Sequence, residues 1–168
     1  MMFKKSLFYI VFTALFLLAG CKEDEIVVSI NHPDTMQQFQ IVHVYKLYTD
    51  FFEEASQANQ EDIPELYNSM IIEPYDKACV ADSEYLHMVE FLINEVPTDY
   101  TAIVELIGEI EAESINEAIR DALIHSSNLL PAENKTTVCI FPTVDENVPV
   151  MVNSGAGKII VLYNENYN

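Results

Sequence analysis

The first apolar stretch of the chain runs from Leu7 to Leu18 without a charged residue and follows the basic pair Lys4 and Lys5. Its 12 residues fall well short of the roughly 20 that a helix needs to cross a bilayer. A basic start and a short apolar run are typical of the leader of an exported protein. The pattern therefore predicts a cleavable signal peptide over residues 1–20 and argues against a resident transmembrane span.

Helical periodicity extends over the long middle part of the chain. Apolar residues recur there at helical spacing with acidic residues between them, and prolines and capping residues mark the boundaries. Five helices are predicted: about 42–55; a stretch after Pro64 that is broken or kinked at Pro74; a stretch from Asp82–Ser83 to just before Pro97; one opened by Thr98–Asp99; and one that begins with the capping box Ser114-Ile115-Asn116-Glu117 and ends at Pro131.

The last part of the chain has a different period, with short β-branched runs between turn-forming residues. Three strands are predicted: Thr136–Phe141, Val148–Val152 and Lys158–Tyr163. Before the helices, Ile26–Ile30 is a short apolar run that Asn31-His32-Pro33-Asp34 breaks. We therefore expect an α+β domain over residues 39–168, with about five helices followed by a small three-stranded sheet, and an acidic tether over residues 21–38.

The signal peptide ends in Leu18-Ala19-Gly20-Cys21, which resembles the lipobox of bacterial lipoproteins. The resemblance implies that a diacylglyceryl group is attached to the Cys21 thiol, that the chain is cut between Gly20 and Cys21, and that the freed amine is acylated. Fatty acyl chains contribute about 0.8 kcal/mol per buried CH₂, so two or more hold a protein on a membrane firmly. We expect a lipid-anchored protein at the cell membrane or outer membrane, facing outside the cytoplasm.

The run Lys22-Glu23-Asp24-Glu25 follows the lipobox. It is similar to the export signal that some Gram-negative bacteria use to send lipoproteins to the outer face of the outer membrane. A solvated linker that keeps the domain away from an anionic membrane explains the same run equally well.

Acidic residues dominate the charge of the chain, with 27 Asp and Glu against eight Lys and Arg and a net charge of −19. Removing the leader, which carries two of the lysines and no acid, leaves 148 residues with a charge of −21. Such a chain repels nucleic acid and anionic lipid, so a polyphosphate partner is not expected. The acids are scattered among many apolar residues, which indicates a solvated surface rather than a disordered tail.

Two cysteines remain besides Cys21. An oxidising exterior permits a disulfide between Cys79 and Cys139. Cys139, however, lies in the apolar strand pattern Val138-Cys139-Ile140-Phe141, where a buried free thiol behaves as a small hydrophobic side chain. Two buried thiols are therefore favoured, and the disulfide stays open as the alternative.

The histidines show no metal-binding spacing, since His32, His43, His87 and His125 include no His-x-x-x-His pair. His87 and Glu90 could share a helix face, and a surface pair explains them better than a metal site does. His43 is expected to be a half-buried aromatic. The sequence therefore assigns no catalytic residue, no metal ligand and no cofactor.

The segment Gly155-Ala156-Gly157-Lys158 lacks the spacing of a phosphate-binding loop, and a strand follows it where such a loop needs a helix. A turn is the favoured interpretation. Tyrosines in the helical part could line a groove, although core positions are the more frequent role: Tyr45, Tyr48, Tyr67, Tyr75 and Tyr85.

Four segments carry a likeness to a known family: Tyr67–Pro74; Ile115–Leu123 with Leu130-Pro131; Thr137–Pro142; and Gly155–Ile160. Their order resembles the front part of a family of predicted zinc-dependent proteases, a domain of unknown function whose members are often membrane-associated or lipoproteins. In that family the last strand is an edge of the active-site sheet, and a helix with His-Glu-x-x-His follows. Its histidines would hold zinc and its glutamate would act as general base.

The chain has no His-Glu-x-x-His, so the resemblance transfers no catalytic or zinc residue, and zinc is expected only with a downstream segment of that kind. The implied function is the non-catalytic front part of a metalloprotease-like domain, left by truncation or as a remnant. It predicts an open sheet edge and an exposed apolar patch near Ile159, Val161 and Tyr163. The alternative is a binding module whose tyrosines or acidic face engage a protein, peptide or glycan; a closed sheet with an aromatic groove would favour it.

Overall fold

The computed structural model describes residues 26–35, 37–84, 87, 90, 93–127, 135–145, 147 and 151–164. The predicted signal peptide, its cleavage site at Gly20 and the lipidation residue Cys21 lie outside these residues. So do positions 148–150 of the second predicted strand, Tyr85, and Pro131 at the predicted end of the fifth helix.

A mixed sheet forms the centre of the described part of the chain. Its strands lie in the order β1-β2-β3-β5-β4. Strand β3 pairs in parallel with both β2 and β5, while β1 and β4 run antiparallel to their neighbours at the two edges. The carboxyl ends of β2, β3 and β5 therefore meet along one side. The strands are β1 (Val27–Asn31), β2 (Gln38–Val42), β3 (Thr136–Pro142), β4 (Met151–Gly155) and β5 (Lys158–Tyr163).

The predicted α+β fold of about five helices followed by three strands is wrong, because the sheet has five strands and two of them precede the helices. β1 and β2 form a hairpin in which Ile30 pairs with Phe39. The sheet thus begins inside the segment assigned to the tether. The alternation of Phe39 and Ile41 is the period of a half-buried strand, but the helical pattern that follows directly from Val42 obscured it.

The helices after β2 include segments of three helical types. Pro74 lies in a 3₁₀ turn, where its missing N–H interrupts the helical ladder, so the predicted break is confirmed. Among the described residues, no helix is both long and apolar enough to cross a membrane. The segments are a 3₁₀ turn (Val44–Leu47), α1 (Tyr48–Ala55), α2 (Ile63–Tyr67), a π turn (Asn68–Ile72), a 3₁₀ turn (Glu73–Tyr75), α3 (Asp76–Cys79), α4 (Tyr100–Glu109) and α5 (Ala112–Ser127).

The ends of the last two helices test the predicted caps. Asp99 caps α4 as predicted, and its carboxylate accepts a hydrogen bond of 3.0 Å from the backbone N–H of Ala102. Helix α5 begins at Ala112, so Ser114 lies inside the helix and the predicted start at the capping box is wrong. The backbone N–H of Ile115 already bonds to the carbonyl of Glu111, which leaves no role for Ser114 as a cap.

Helices cover both faces of the sheet. Successive residues of β3 point to opposite sides, and the two sides pack against different helices. Cys139 and Phe141 belong to a core shared with α1, α2 and α3, whereas Val138 and Ile140 belong to a second core shared with α4 and α5. All seven residues of β3 are buried, as expected of a central strand with parallel neighbours. The architecture is therefore three layers, with the sheet in the middle.

Strand β5 lies between β3 and β4 and is not an edge of the sheet. Its Ile159 and Val161 are half-buried, and Tyr163 is buried in the core shared with α4 and α5. The open edge and the exposed apolar patch that the protease resemblance implies at these three residues are therefore not found there. The covering helices come from earlier in the same chain.

Cys79 at the end of α3 and Cys139 in β3 form a disulfide, with their Cα atoms 5.9 Å apart. Both cysteines are buried. The preference for two free thiols is thus corrected: the apolar context of Cys139 was real, but α3 packs over β3 and brings the Cα atoms within the roughly 7 Å that a bridge requires. The bridge joins the helical layer to the centre of the sheet.

The hairpin between β4 and β5 turns at Gly155, Ala156 and Gly157, whose φ angles are 82°, 51° and 74°. The turn interpretation of this segment is confirmed. A Cβ at position 157 would collide with the backbone carbonyl oxygen of Lys135, so glycine is required there. The ammonium group of Lys158 is turned inward and donates to the carbonyl oxygens of Lys77 and Ala81.

Candidate ligand-binding site

A cavity of about 330 Å³ lies at the carboxyl edge of the parallel strands. β3 ends at Pro142 and β5 at Tyr163, and these two residues are paired. Ligands of open α/β sheets bind just beyond the carboxyl ends of the strands, so the cavity stands where this kind of topology offers a site. Its size is at the lower end of the range of about 300–1,000 Å³ for small-molecule pockets.

Two tyrosines form the floor of this cavity and are tied to its wall. The hydroxyl of Tyr67 donates to the carbonyl oxygen of Ile93 at 2.8 Å, and it lies 2.9 Å from the hydroxyl of Tyr48. Since Tyr67 donates its hydroxyl proton to Ile93, Tyr48 is the donor and Tyr67 the acceptor in the bond between the two hydroxyls. Tyr48 begins α1, Tyr67 ends α2, and Ile93 precedes the segment that leads to α4, so three separate parts of the chain meet here.

Burial raises the pKa of Tyr67 to about 12, against a smaller opposing effect of its hydrogen bond with Tyr48. Burial also raises the pKa of Tyr48 well above its usual range, and the neighbouring Tyr67 adds to this. Both hydroxyls therefore stay protonated at neutral pH. They act as hydrogen-bonding groups and not as phenolates.

The floor is held by further aromatic packing. The ring of Phe51 lies edge-on to that of Tyr67, with centroids 5.2 Å apart, and Phe52 stacks on Tyr100 at 4.5 Å. Such contacts contribute about 0.5–1.5 kcal/mol each beyond their buried area. The stacking fixes the first residue of α4 against α1, which leaves the cavity with a rigid base.

One rim of the cavity is the loop that leaves β3. The N–H of Thr143 bonds to the carbonyl of Tyr163 at 2.8 Å and so extends the parallel ladder beyond the strand. Asp145 accepts from both the backbone N–H and the side-chain amide of Asn147, at 2.8 and 2.9 Å. These bonds lower the pKa of Asp145, so its exposed carboxylate is ionised at neutral pH.

The opposite rim is the segment 94–98, which runs from Ile93 to α4. Glu95 lines the cavity from this side, together with Val96 and Pro97. A second cavity, of about 460 Å³, lies behind the same segment and is lined by Ile63, Pro64 and Tyr100 as well. The segment is therefore a thin wall with space on both sides, anchored by Ile93 at one end and by α4 at the other.

The sequence-derived sites fall elsewhere. Cys21 and Gly20 lie outside the described residues, and the Cys79–Cys139 bridge is a structural element of the core. His87 contacts Glu90 at 3.5 Å with its side chain fully exposed, which fits the surface pair that was favoured. In the ranges that the structure describes, no group of three or more His, Cys, Asp and Glu side chains is arranged to hold a metal ion.

His43 is more deeply buried than the half-buried position expected for it. It follows β2, its side chain is fully buried, and its Nε2 lies 2.8 Å from Oδ1 of Asn116 in α5. Its Nδ1 has no hydrogen-bond partner among the described residues. Burial lowers the pKa of His43, against the opposing effect of the bond to Asn116. The imidazole is therefore neutral at pH 7 and helps to join β2 to α5.

Sequence reasoning missed this cavity, although it named Tyr48 and Tyr67 as residues able to line a groove. Both tyrosines are buried in the core and also line the cavity, so the groove and the core interpretations both apply to them. The missing information was the strand order, in which β5 lies beside β3 although β4 stands between them in the sequence. Only when β3 and β5 are known to be parallel neighbours is there a carboxyl edge at which Thr143 and Asp145 would be expected to matter.

No protein-family model, no curated protein and no solved structure matches this chain. The likeness to bacterial lipoproteins and to zinc-dependent proteases therefore rests on the sequence segments quoted above. The site itself has to be interpreted from its own geometry.

Proposed function

We propose that this chain is a lipid-anchored binding protein of the cell envelope that takes a small ligand into the cavity above Tyr48 and Tyr67. The observation that carries the proposal is the position of that cavity, at the carboxyl edge of β3 and β5 with a fixed aromatic floor. Pre-formed, mostly apolar pockets with a few placed polar groups are the usual form of small-molecule sites.

Two features support the location outside the cytoplasm. The first is the leader ending in Leu18-Ala19-Gly20-Cys21, with a thiol at the position where a lipoprotein receives its diacylglyceryl group. The second is the disulfide between Cys79 and Cys139. Such bridges form and persist in oxidising compartments and are rare in the cytosol. The lipid would tether the domain at its amino-terminal side, next to β1.

The geometry favours binding over the protease-related function. That function predicts an exposed apolar patch on β5, and Ile159, Val161 and Tyr163 are instead covered by helices of this chain. Of the features expected of the binding module, the aromatic lining of the cavity is present, whereas the sheet that the described strands form is open at its edge strands β1 and β4 and is not closed. The tyrosine hydroxyls lining it are engaged with each other and with Ile93, which suits a fixed surface for recognition.

The anchor is tested by replacing Cys21 with serine in cells that export the protein. In wild-type cells, we expect the protein in the membrane fraction, with a mature amino terminus whose mass includes the diacylglyceryl group and the added acyl chain. The Cys21→Ser protein should lose both the acyl mass and the membrane association. Membrane association and trimming at the same residue without the thiol would contradict the lipid anchor.

The cavity is tested with a matched pair of tryptophan substitutions, in protein reconstituted into nanodiscs. Val144 lines the cavity and Val104 on α4 does not, yet both side chains are similarly exposed, at 47% and 45%. We expect ligand-observed NMR on a set of small aromatic molecules of mixed charge to find binders to the wild type. Val144→Trp should abolish their binding, while Val104→Trp should leave it unchanged. Equal binding to all three proteins would refute the assignment of the site.

A further inference from the structure

The charges around the cavity have one sign. Glu95 on the wall and Asp145 on the loop after β3 are the only charged side chains among the described residues that line it. They approach the opening from two different rims, and the floor between them is aromatic and aliphatic. The whole chain adds to the same potential with its net charge of −19, and clefts lined by one sign of charge concentrate the opposite ion.

From this arrangement we propose that the ligand is a small organic cation, an ammonium or guanidinium group carried on an apolar body. The apolar body would lie against Val96, Pro97 and Val144, the apolar lining residues that are partly or well exposed, and the cationic group would sit between the carboxylates of Glu95 and Asp145. This inference rests on the proposed binding function and names the chemical class of its ligand.

The geometry assigns a separate task to each part of the ligand. Burying the apolar body against Val96, Pro97 and Val144, which are partly or well exposed, removes both surfaces from water and supplies affinity without regard to charge. Tyrosine and phenylalanine rings attract a cation at their faces, so the floor does not oppose the charged end. A carboxylate ligand of the same shape would face two carboxylates and the field of the whole protein, and its binding should be the weakest of all.

Asp145 is held in place for such a contact. Its Oδ1 accepts both bonds from Asn147, so the loop geometry is fixed through that one oxygen. The other oxygen accepts no hydrogen bond from the described residues, and the side chain is exposed, so a ligand cation can reach it. Asparagine at this position would keep an oxygen for Asn147 while removing the charge, which makes Asp145→Asn a substitution that preserves the loop.

The experiment compares three molecules with one skeleton: phenethylamine, phenylethanol and 3-phenylpropionate. Their affinities for the wild-type protein in nanodiscs of zwitterionic lipid are measured by calorimetry, with empty nanodiscs as the blank. We expect the amine to bind about tenfold more tightly than the alcohol, and the carboxylate to bind more weakly than either. The double variant Glu95→Gln/Asp145→Asn should remove this preference, with a loss of about tenfold for the amine and little change for the alcohol.

A matched variant controls for the loss of net charge. Glu105→Gln/Glu109→Gln removes two exposed carboxylates from α4, which do not line the cavity. It should leave the preference for the amine within about twofold of the wild type, since neither carboxylate lines the cavity and exposed charges are screened by salt. If it weakens amine binding as much as the cavity variant does, the field of the whole protein accounts for the effect and the proposed cation site is wrong.

The outcomes separate this inference from the proposed function. Equal binding of the amine and the alcohol would overturn the cation site while leaving the cavity as a binding site. Failure of every molecule to bind would count against the binding function itself. A fourth probe, the blocked amino acid N-acetyl-lysine methylamide, distinguishes the source of the cation. Binding of this probe without binding of phenethylamine would overturn the small-molecule ligand in favour of a basic side chain of a partner protein.

Discussion

The hydroxyl groups of Tyr48 and Tyr67 lie 2.9 Å apart. Through Tyr67, this contact continues to the carbonyl oxygen of Ile93, so a single chain of two hydrogen bonds joins the start of α1, the end of α2 and the wall of the cavity. Because Tyr67 donates to Ile93, it accepts from Tyr48. The Tyr67 hydroxyl therefore takes part in two hydrogen bonds and the Tyr48 hydroxyl in one.

This difference in the number of hydrogen bonds predicts the effect of removing each hydroxyl. Tyr67→Phe leaves both the Tyr48 hydroxyl and the Ile93 carbonyl without their partner, and should lower the free energy of unfolding by about 2–3 kcal/mol. Tyr48→Phe removes only one donor and should cost about 1 kcal/mol. Urea unfolding of both variants measures the difference. A larger loss for Tyr48→Phe would show that the direction of the hydrogen-bond chain is wrong.

The Cys79–Cys139 disulfide closes a loop with a sequence separation of 60 residues. A loop of that length should stabilise the folded state by about 4 kcal/mol through the entropy of the unfolded chain. The double variant Cys79→Ala/Cys139→Ala should lose an amount of that order in urea unfolding. Alkylation of the denatured, unreduced protein should leave both cysteines unlabelled, and labelling of either one would contradict the bridge.

Two glycines should respond to alanine in opposite directions. Gly157 has a φ of +74° and faces the carbonyl oxygen of Lys135, so Gly157→Ala should destabilise the protein by about 2 kcal/mol or more. Gly108 lies in α4, where a Cβ would meet no neighbouring atom within 4 Å, so Gly108→Ala should stabilise the helix by about 0.5–1 kcal/mol. Thermal unfolding of the pair checks both signs, and a stabilising Gly157→Ala would contradict the turn.

His43 should make stability depend on pH. Its pKa is lowered by burial from the ordinary 6.5, so below that pH the unfolded chain binds a proton that the folded protein resists. The contribution is therefore complete above about pH 6.5 and is lost as the pH falls. His43→Gln does not titrate. It therefore removes the pH-dependent contribution of His43 to the free energy of unfolding and leaves the other titratable groups in place.

The measurement is the free energy of unfolding of both proteins at about pH 7.5 and about pH 5. The stability of the wild type relative to His43→Gln should decline between these two values. A relative stability that is constant or rises on acidification would show that the folded protein accommodates the charged imidazole.

The sequence predicted the later elements better than the first ones, for a physical reason. β3 and β5 are dense β-branched runs with turn residues on either side, and α4 has a capping aspartate at Asp99, so local signals and tertiary packing agree there. β1 and β2 are short, and β2 runs directly into a helical pattern at Val42. β2 pairs with β3, which lies far along the chain and which no local window contains, and β1 in turn pairs with β2.

The cavity also depends on contacts between distant parts of the chain. Tyr48, Tyr67, Glu95 and Asp145 are spread over nearly a hundred positions, and no motif links them. Only the parallel pairing of β3 with β5 brings the ends of these two strands to the edge where the cavity lies. The disulfide was misjudged for a related reason: the apolar surroundings of Cys139 were visible in the sequence, but the approach of α3 over β3 was not.

The central claim is that the cavity at the carboxyl edge is a ligand site, and mapping a bound molecule by methyl NMR tests it most directly. On titration with phenethylamine or another binder found for the wild type, the methyl signals of Ile103, Leu162 and Val144 should shift. Those of Leu123 and Val138, in the core on the other face of the sheet, should not. Shifts confined to that second core, or none in the cavity for any binder, would contradict the account.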